Sequence, residues 1–101
     1  MAVEVTDNKQ MLRFEIHLDG ELAGFAEYLR HGDVIEFTHT EIDPKFRGHG
    51  LASQLVQQAL DDVRSRGFAV RPVCPMVREF IAQHDEYKDL VSAEDRKRFD
   101  L

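Results

Sequence analysis

The hydrophobic period of this chain changes once, at Asp43-Pro44, and that single change limits the architectures open to it. Before it, Leu12, Phe14, Ile16 and Leu18 alternate with Arg13, Glu15 and His17, the two-residue period of a strand with one buried face. Asp19-Gly20 supplies residues that tolerate the positive φ of a two-residue hairpin turn. Leu22 to Arg30 reads as the returning strand, His31-Gly32-Asp33 as a second turn, and Val34 to Ile42, rich in β-branched and aromatic residues, as the next strand of a meander. Val3 to Thr6 is a candidate strand ahead of them. Beyond Pro44, Leu51, Ala52, Leu55, Val56, Ala59, Leu60 and Val63 recur three and four residues apart, the spacing of an amphipathic helix. Arg64 and Arg66 suit its negative end, and Gly67 can close it. Phe68 to Val73 predicts one more strand, and Pro75 opens a second helix with Val77, Phe80 and Ile81 on its apolar side. Ser92 and Asp95 resemble a capping box on a last helical turn, and Arg96-Lys97-Arg98 reads as solvated surface. The expected fold is a mixed α/β (α+β) domain: an antiparallel meander, a long helix, a further strand and a second helix.

Those elements use the whole chain, so residues 1–101 form one domain with one core and, at most, a shallow ligand groove between layers. Nineteen acidic against thirteen basic residues leave a net charge of −6, the wrong sign for a general phosphate-backbone binder. Cationic partners fit better, and no nucleic-acid partner is expected. One cysteine cannot close an intramolecular disulfide, which suits a reducing compartment. No stretch approaches the roughly 18 apolar residues of a membrane span, and MAVEVTDNKQ has no basic region followed by an apolar run. The expectation is a cytoplasmic protein without a membrane partner. Oligomeric state is left open.

The segment Ile42-Asp43-Pro44-Lys45-Phe46-Arg47-Gly48-His49-Gly50-Leu51-Ala52 lies where a strand ends and the long helix begins. Two glycines and a small alanine allow a sharp turn that exposes successive N–H groups. The first N–H groups of a helix have no partners within it, and the helix dipole points its positive end the same way, so the position favours an anion such as a pyrophosphate. Lys45 and Arg47 add positive charge. The segment lacks the Gly-Lys-Ser/Thr of a Walker loop, and hairpins rather than a βαβ unit precede it.

Arg47-Gly48-His49-Gly50-Leu51-Ala52 resembles the Arg/Gln-x-x-Gly-x-Gly/Ala acyl-CoA motif of the GNAT superfamily of N-acetyltransferases, and Ile42 to Phe46 resembles its usual lead-in. Val73-Cys74-Pro75, Val77, Phe80, Ile81 and His84-Asp85-Glu86-Tyr87 are similar to a short single-domain subgroup of that superfamily, with Met76 in place of an aromatic and Asp85 in place of a proline. The resemblance runs from about Phe14 to Val91. It implies a GNAT-like fold, acetyl-CoA held by Ile42, Arg47, Gly48, His49, Gly50, Leu51 and Ala52, and transfer of the acetyl group to a primary amine. It further implies that His39 to Ile42 splays from the strand after the helix and lays backbone groups along the pantetheine arm. The acceptor, a small molecule or a protein, would meet an open groove.

Acyl transfer to an amine requires a held donor, a neutral amine and hydrogen-bond donors for the developing oxyanion. His39 and Glu41, two apart and expected on the face that carries Ile35 and Phe37, are the candidate bases. A half-buried strand histidine and a solvated carboxylate are their plainer readings. Cys74, ahead of a helix N-terminus, could accept the acyl group, donate a proton to the departing thiolate, or simply fill space. Tyr87 is a second candidate acid, or a packing residue. A zinc deaminase is excluded: His39-Thr40-Glu41 fits His-x-Glu, but no second cysteine completes a metal site, and no metal is expected. The remaining alternative is a non-catalytic acyl-CoA-binding module or sensor.

Overall fold

The computed structural model describes residues 2–101. One five-stranded sheet runs in the order β1 (Val3–Asn8), β2 (Arg13–Leu18), β3 (Glu21–His31), β4 (Val34–Ile42) and β5 (Ala69–Pro72). The first four strands are antiparallel neighbours, and β5 returns parallel to β4 after α1 (Leu51–Ser65). Two helices follow, α2 (Pro75–Gln83) and α3 (Ala93–Arg98). The expected order of meander, helix, strand and helix is therefore observed, with Val3–Thr6 extended to Asn8 as a genuine edge strand. No helix among the described residues is long and apolar enough to cross a membrane.

Local chemistry accounts for the boundaries. Asp19 and Gly20 both take positive φ, 52° and 84°, which matches the twist of a tight hairpin. Gly67 sits at φ 80° just past α1, and the N–H groups of Gly67 and Phe68 return to the carbonyls of Arg64 and Val63. That helix stop claims the Phe68 N–H, and the Val73 N–H turns back to the Arg71 carbonyl. The strand expected over Phe68 to Val73 is consequently shorter, four residues long. Ser92 caps α3 through its hydroxyl, which accepts from the Asp95 N–H at 3.1 Å.

Phe14, Ile16, Tyr28, Ile35, Phe37 and Val70 of the sheet are buried in one core with Leu55, Val56, Ala59, Leu60 and Val63 of α1 and Val77 and Ile81 of α2. Each large aliphatic there contributes roughly 1.5–3 kcal/mol by leaving water. The other sheet face, with Arg13, Glu15, His17, Phe25, Glu27, His39 and Glu41, is half-buried or exposed.

Two bulges alter the alternation. Ala23 is the extra residue of β3 against β2, and Thr38 the extra residue of β4 against β3, where Glu27 pairs with His39 but Tyr28 pairs with Phe37. The second corrects an expectation. Ile35 and Phe37 face the core, but beyond Thr38 it is Thr40 that is buried, while His39 and Glu41 are exposed on the opposite face. His39 and Glu41 still share a face with each other. Counting in twos cannot detect an inserted residue.

Candidate functional site

At the end of β4, the Asp43 carboxylate accepts the Lys45 N–H at 3.0 Å and caps one 3-10 turn, Pro44–Phe46, whose buried Phe46 anchors it. Arg47 continues in extended form, and the chain then takes left-handed conformations at Gly48 (φ 89°) and Gly50 (φ 68°, ψ 21°). A Cβ built on either glycine would meet nothing within 4 Å, so the concave side of this loop is open. The Gln54 N–H returns to the Gly50 carbonyl, which leaves the N–H groups of Leu51, Ala52 and Ser53 without helical acceptors. Gly50 offers no capping side chain, and the first turn of α1 holds no acidic residue. Free donors and an uncancelled dipole end therefore face the same space.

The flanking charges differ from expectation in one respect. Lys45 Nζ lies 2.6 Å from Glu21 Oε2 at the β2–β3 turn, so its charge is neutralised there instead of being added to the loop. Arg47 is exposed and has no carboxylate partner among the described residues. His49 is exposed, Leu51 is buried and pins the helix start, and Ala52 and Ile42 are half-buried.

The second feature is a gap in the sheet. β5 pairs with β4 only from Val34↔Ala69 to Phe37↔Pro72, and the Cys74 N–H then takes the Phe37 carbonyl at 2.8 Å before the chain turns into α2. From Thr38 to Ile42, β4 is bonded to β3 on one edge and, among the described residues, has no strand on the other. This bare edge runs toward the glycine loop. A groove of about 470 Å³ lies at the start of α1, between its Ala52, Ser53 and Val56 and Met76, Arg78 and Phe80 of α2.

Cys74 caps α2 and is buried, and its thiol donates to the Thr40 hydroxyl at 3.4 Å on the core side of β4. Sequence reasoning passed over Thr40, because a threonine in a strand carries no signal until the bulge turns it inward. On the opposite face, the His39 ring lies 6.3 Å from that of Phe25, which pairs with Glu41. The structure thus groups His39 with Glu41 and Cys74 with Thr40, on the two sides of one strand.

Tyr87 joins neither group. It sits on a 3-10 turn, Asp85–Leu90, donates its hydroxyl to Asp61 Oδ1 at 2.8 Å and lies under the Arg64 guanidinium. Asp61 is about 16 Å along α1 from Gly50 at the helical rise per residue. Burial, then the Asp61 carboxylate, push the Tyr87 phenol up to about 12. A raised folded-state value means that the bond's stabilisation is complete below the ordinary phenol range near 10 and is lost as pH climbs toward about 12. Tyr87→Phe is accordingly expected to flatten the alkaline limb of urea-unfolding stability. An unchanged slope between those values would refute the assignment.

A family model described as GCN5-related N-acetyl-transferase matches residues 13–90. Among solved structures, the ribosomal-protein-S18-alanine N-acetyltransferase of Escherichia coli is 27% identical at a TM-score of 0.55, covering 58% of this chain and 39% of that one. A ribosomal-protein-alanine N-acetyltransferase of Brucella melitensis biovar Abortus 2308 shares the fold at 20% identity and a TM-score of 0.52, over 80% of this chain and 61% of that one. The N-acetylglutamate synthase of Neisseria gonorrhoeae, complexed with coenzyme A and N-acetyl-glutamate, does so at 21% and 0.50, over 58% of this chain and 15% of its own. The chain thus spans between 15% and 61% of the length of these structures. Because the matched segment takes in most of the sequence, including the sheet gap and the glycine loop, this protein belongs to the GCN5-related N-acetyltransferase family.

Proposed function

We propose that the protein is an acetyl-CoA-dependent N-acetyltransferase acting on a primary amine. One observation carries the reading: the bare edge of β4 leads to the free N–H groups of Leu51, Ala52 and Ser53. An extended, amide-bearing arm that ends in a diphosphate matches an unpaired strand edge followed by a helix N-terminus. The open space at Gly48 and Gly50, the unpartnered Arg47 and the lack of acid in the first turn all suit such an anion. Ile42, Arg47, Gly48, His49, Gly50, Leu51 and Ala52 would hold it, and Ser53, which sequence reasoning did not include, would join them. Acetyl-CoA bound there supplies an acetyl thioester as the acyl donor.

The chain's own residues would then manage protons. Keeping a lysine-like amine neutral at pH 7 costs about 4–5 kcal/mol, so a base is needed. His39 and Glu41 on the exposed face would take the amine proton, directly or through a water. Glu27 and Glu41 on that face would favour a cationic acceptor, Glu15 being already paired with Arg13 at 2.8 Å. Cys74, whose thiol already donates to Thr40, would either return a proton to the departing thiolate or accept the acetyl group itself. A reducing cytoplasm, where Cys74 stays a thiol, is the compartment consistent with this role.

The test combines turnover of acetyl-CoA over an amine panel with intact mass. Replacing both His39 and Glu41 by glutamine is expected to lower kcat about a hundredfold at pH 7 with coenzyme affinity intact. A one-acetyl adduct absent from Cys74→Ser would assign the two-step route. Tight binding without turnover for every amine would replace the enzyme by a non-catalytic acyl-CoA-binding module.

A further inference from the structure

A separate cavity of about 410 Å³ opens at the other end of α1, bounded by β1, β3 and the helix C-terminus. Val63 and Arg66, which line it, lie roughly 20 Å or more along the helix from Gly50. It is therefore not part of the coenzyme groove. Its floor is apolar and buried, made by Phe14, Ile35 and Val63, and the half-buried Phe68 forms one wall. The volume falls in the range of small-molecule sites.

The charges at its mouth are unbalanced. Lys9, Arg30 and Arg66 are cationic, and Asp7 is the only carboxylate in the lining. That carboxylate is nearly buried and already used twice, by the Tyr28 hydroxyl at 2.6 Å and by Arg66 Nη1 at 3.0 Å. Arg66 is further held by Asp62 at 2.9 Å. Lys9 and Arg30, by contrast, have no carboxylate partner among the described residues. The Arg30 guanidinium lies 4.7 Å over the Phe68 ring, with its Nε bonded to the Gly32 carbonyl, which holds a planar cation at the rim of an apolar hollow. In a chain of net charge −6, two unpaired cations above buried aromatic and aliphatic side chains form an anion site with a hydrophobic floor.

We propose that this cavity is a second ligand site, for a small carboxylate with an aromatic or branched apolar body. The carboxylate pairs with Arg30 and Lys9, and the body packs on Phe68, Phe14 and Val63, covering the exposed Leu12 side chain at the entrance. Leu12 holds an uncommon φ of 52°, and its carbonyl takes the Tyr28 N–H at 3.0 Å.

Phenylacetate is a suitable probe, followed by amide NMR on the full chain. Saturable shifts at Leu12, Arg30 and Phe68 are expected with low-millimolar affinity, the level reached by a ligand of about ten heavy atoms. The residues from Gly48 to Ser53 should stay still. Lys9→Gln combined with Arg30→Gln, both at exposed positions, should weaken binding at least about tenfold while the spectrum remains that of the folded protein. Phenylacetamide, which lacks the charge, and acetate, which lacks the body, should each bind more weakly. Absence of shifts at the three reporters, movement at residues 48–53 instead, equal binding of phenylacetamide, or full affinity in the double variant would each overturn the proposal.

Discussion

Gly50→Asp is expected to lower coenzyme A affinity at least about a hundredfold and to leave the protein folded. Position 50 is in the left-handed region at φ 68°, which aspartate visits more readily than most residues, and a Cβ there meets nothing within 4 Å. The backbone cost is on the order of 1 kcal/mol, partly offset by a carboxylate at the positive end of a helix, so Tm should move by only a few degrees. Binding suffers far more than folding. Two unit charges about 4 Å apart near a protein surface repel by roughly 4 kcal/mol before salt screening, and the new carboxylate also takes up the donors the diphosphate would use. Gly50→Asn is the matched control: nearly the same shape and φ without the charge, and most of the affinity retained. Calorimetric titration of both variants decides the matter. An aspartate variant that binds like wild type would remove the diphosphate from the N-terminus of α1.

The second large effect is on stability. Gly24→Val should lower Tm by at least about 12 °C, the equivalent of roughly 3 kcal/mol in a domain of this size. Gly24 pairs with Ile42, and a Cβ on it would lie 2.5 Å from both the Glu41 carbonyl oxygen and Ile42 Cδ1. The Ile42 side chain can rotate away. The carbonyl belongs to the β4 backbone and cannot move without parting β3 from β4. Gly24→Ala should show most of the loss, since its Cβ alone makes the collision. The displaced residues end the bare edge, so coenzyme affinity should fall as well. A Tm within about 4 °C of wild type would show that the two strands separate freely there.

What could be read in advance divides by the range of the interaction. Asp19-Gly20, Gly67, Pro75 and Ser92 act within a few residues of themselves, and each turn, stop or cap they imply is present. The glycine loop was legible for the same reason, because Gly48 and Gly50 at positive φ and the Asp43 cap of the turn before them are all local. Contacts between distant segments were not. The Lys45–Glu21 pair joins a loop to a turn 24 residues earlier, and the Tyr87–Asp61 bond spans 26 residues. The placement of Thr40 beside Cys74 depends on where β5 stops and on the register shift at Thr38, neither of which has a local residue signature.

That shift does more than displace a label. By inverting the parity of β4 halfway along, Thr38 lets one strand serve two masters: its first half plugs the interior, and its second half offers ionisable groups to the solvent and a hydroxyl to the thiol behind it. Without the insertion, Glu41 would be driven beneath the helices and Thr40 turned outward. One inserted residue thus decides that Glu41 meets water and Thr40 meets the thiol.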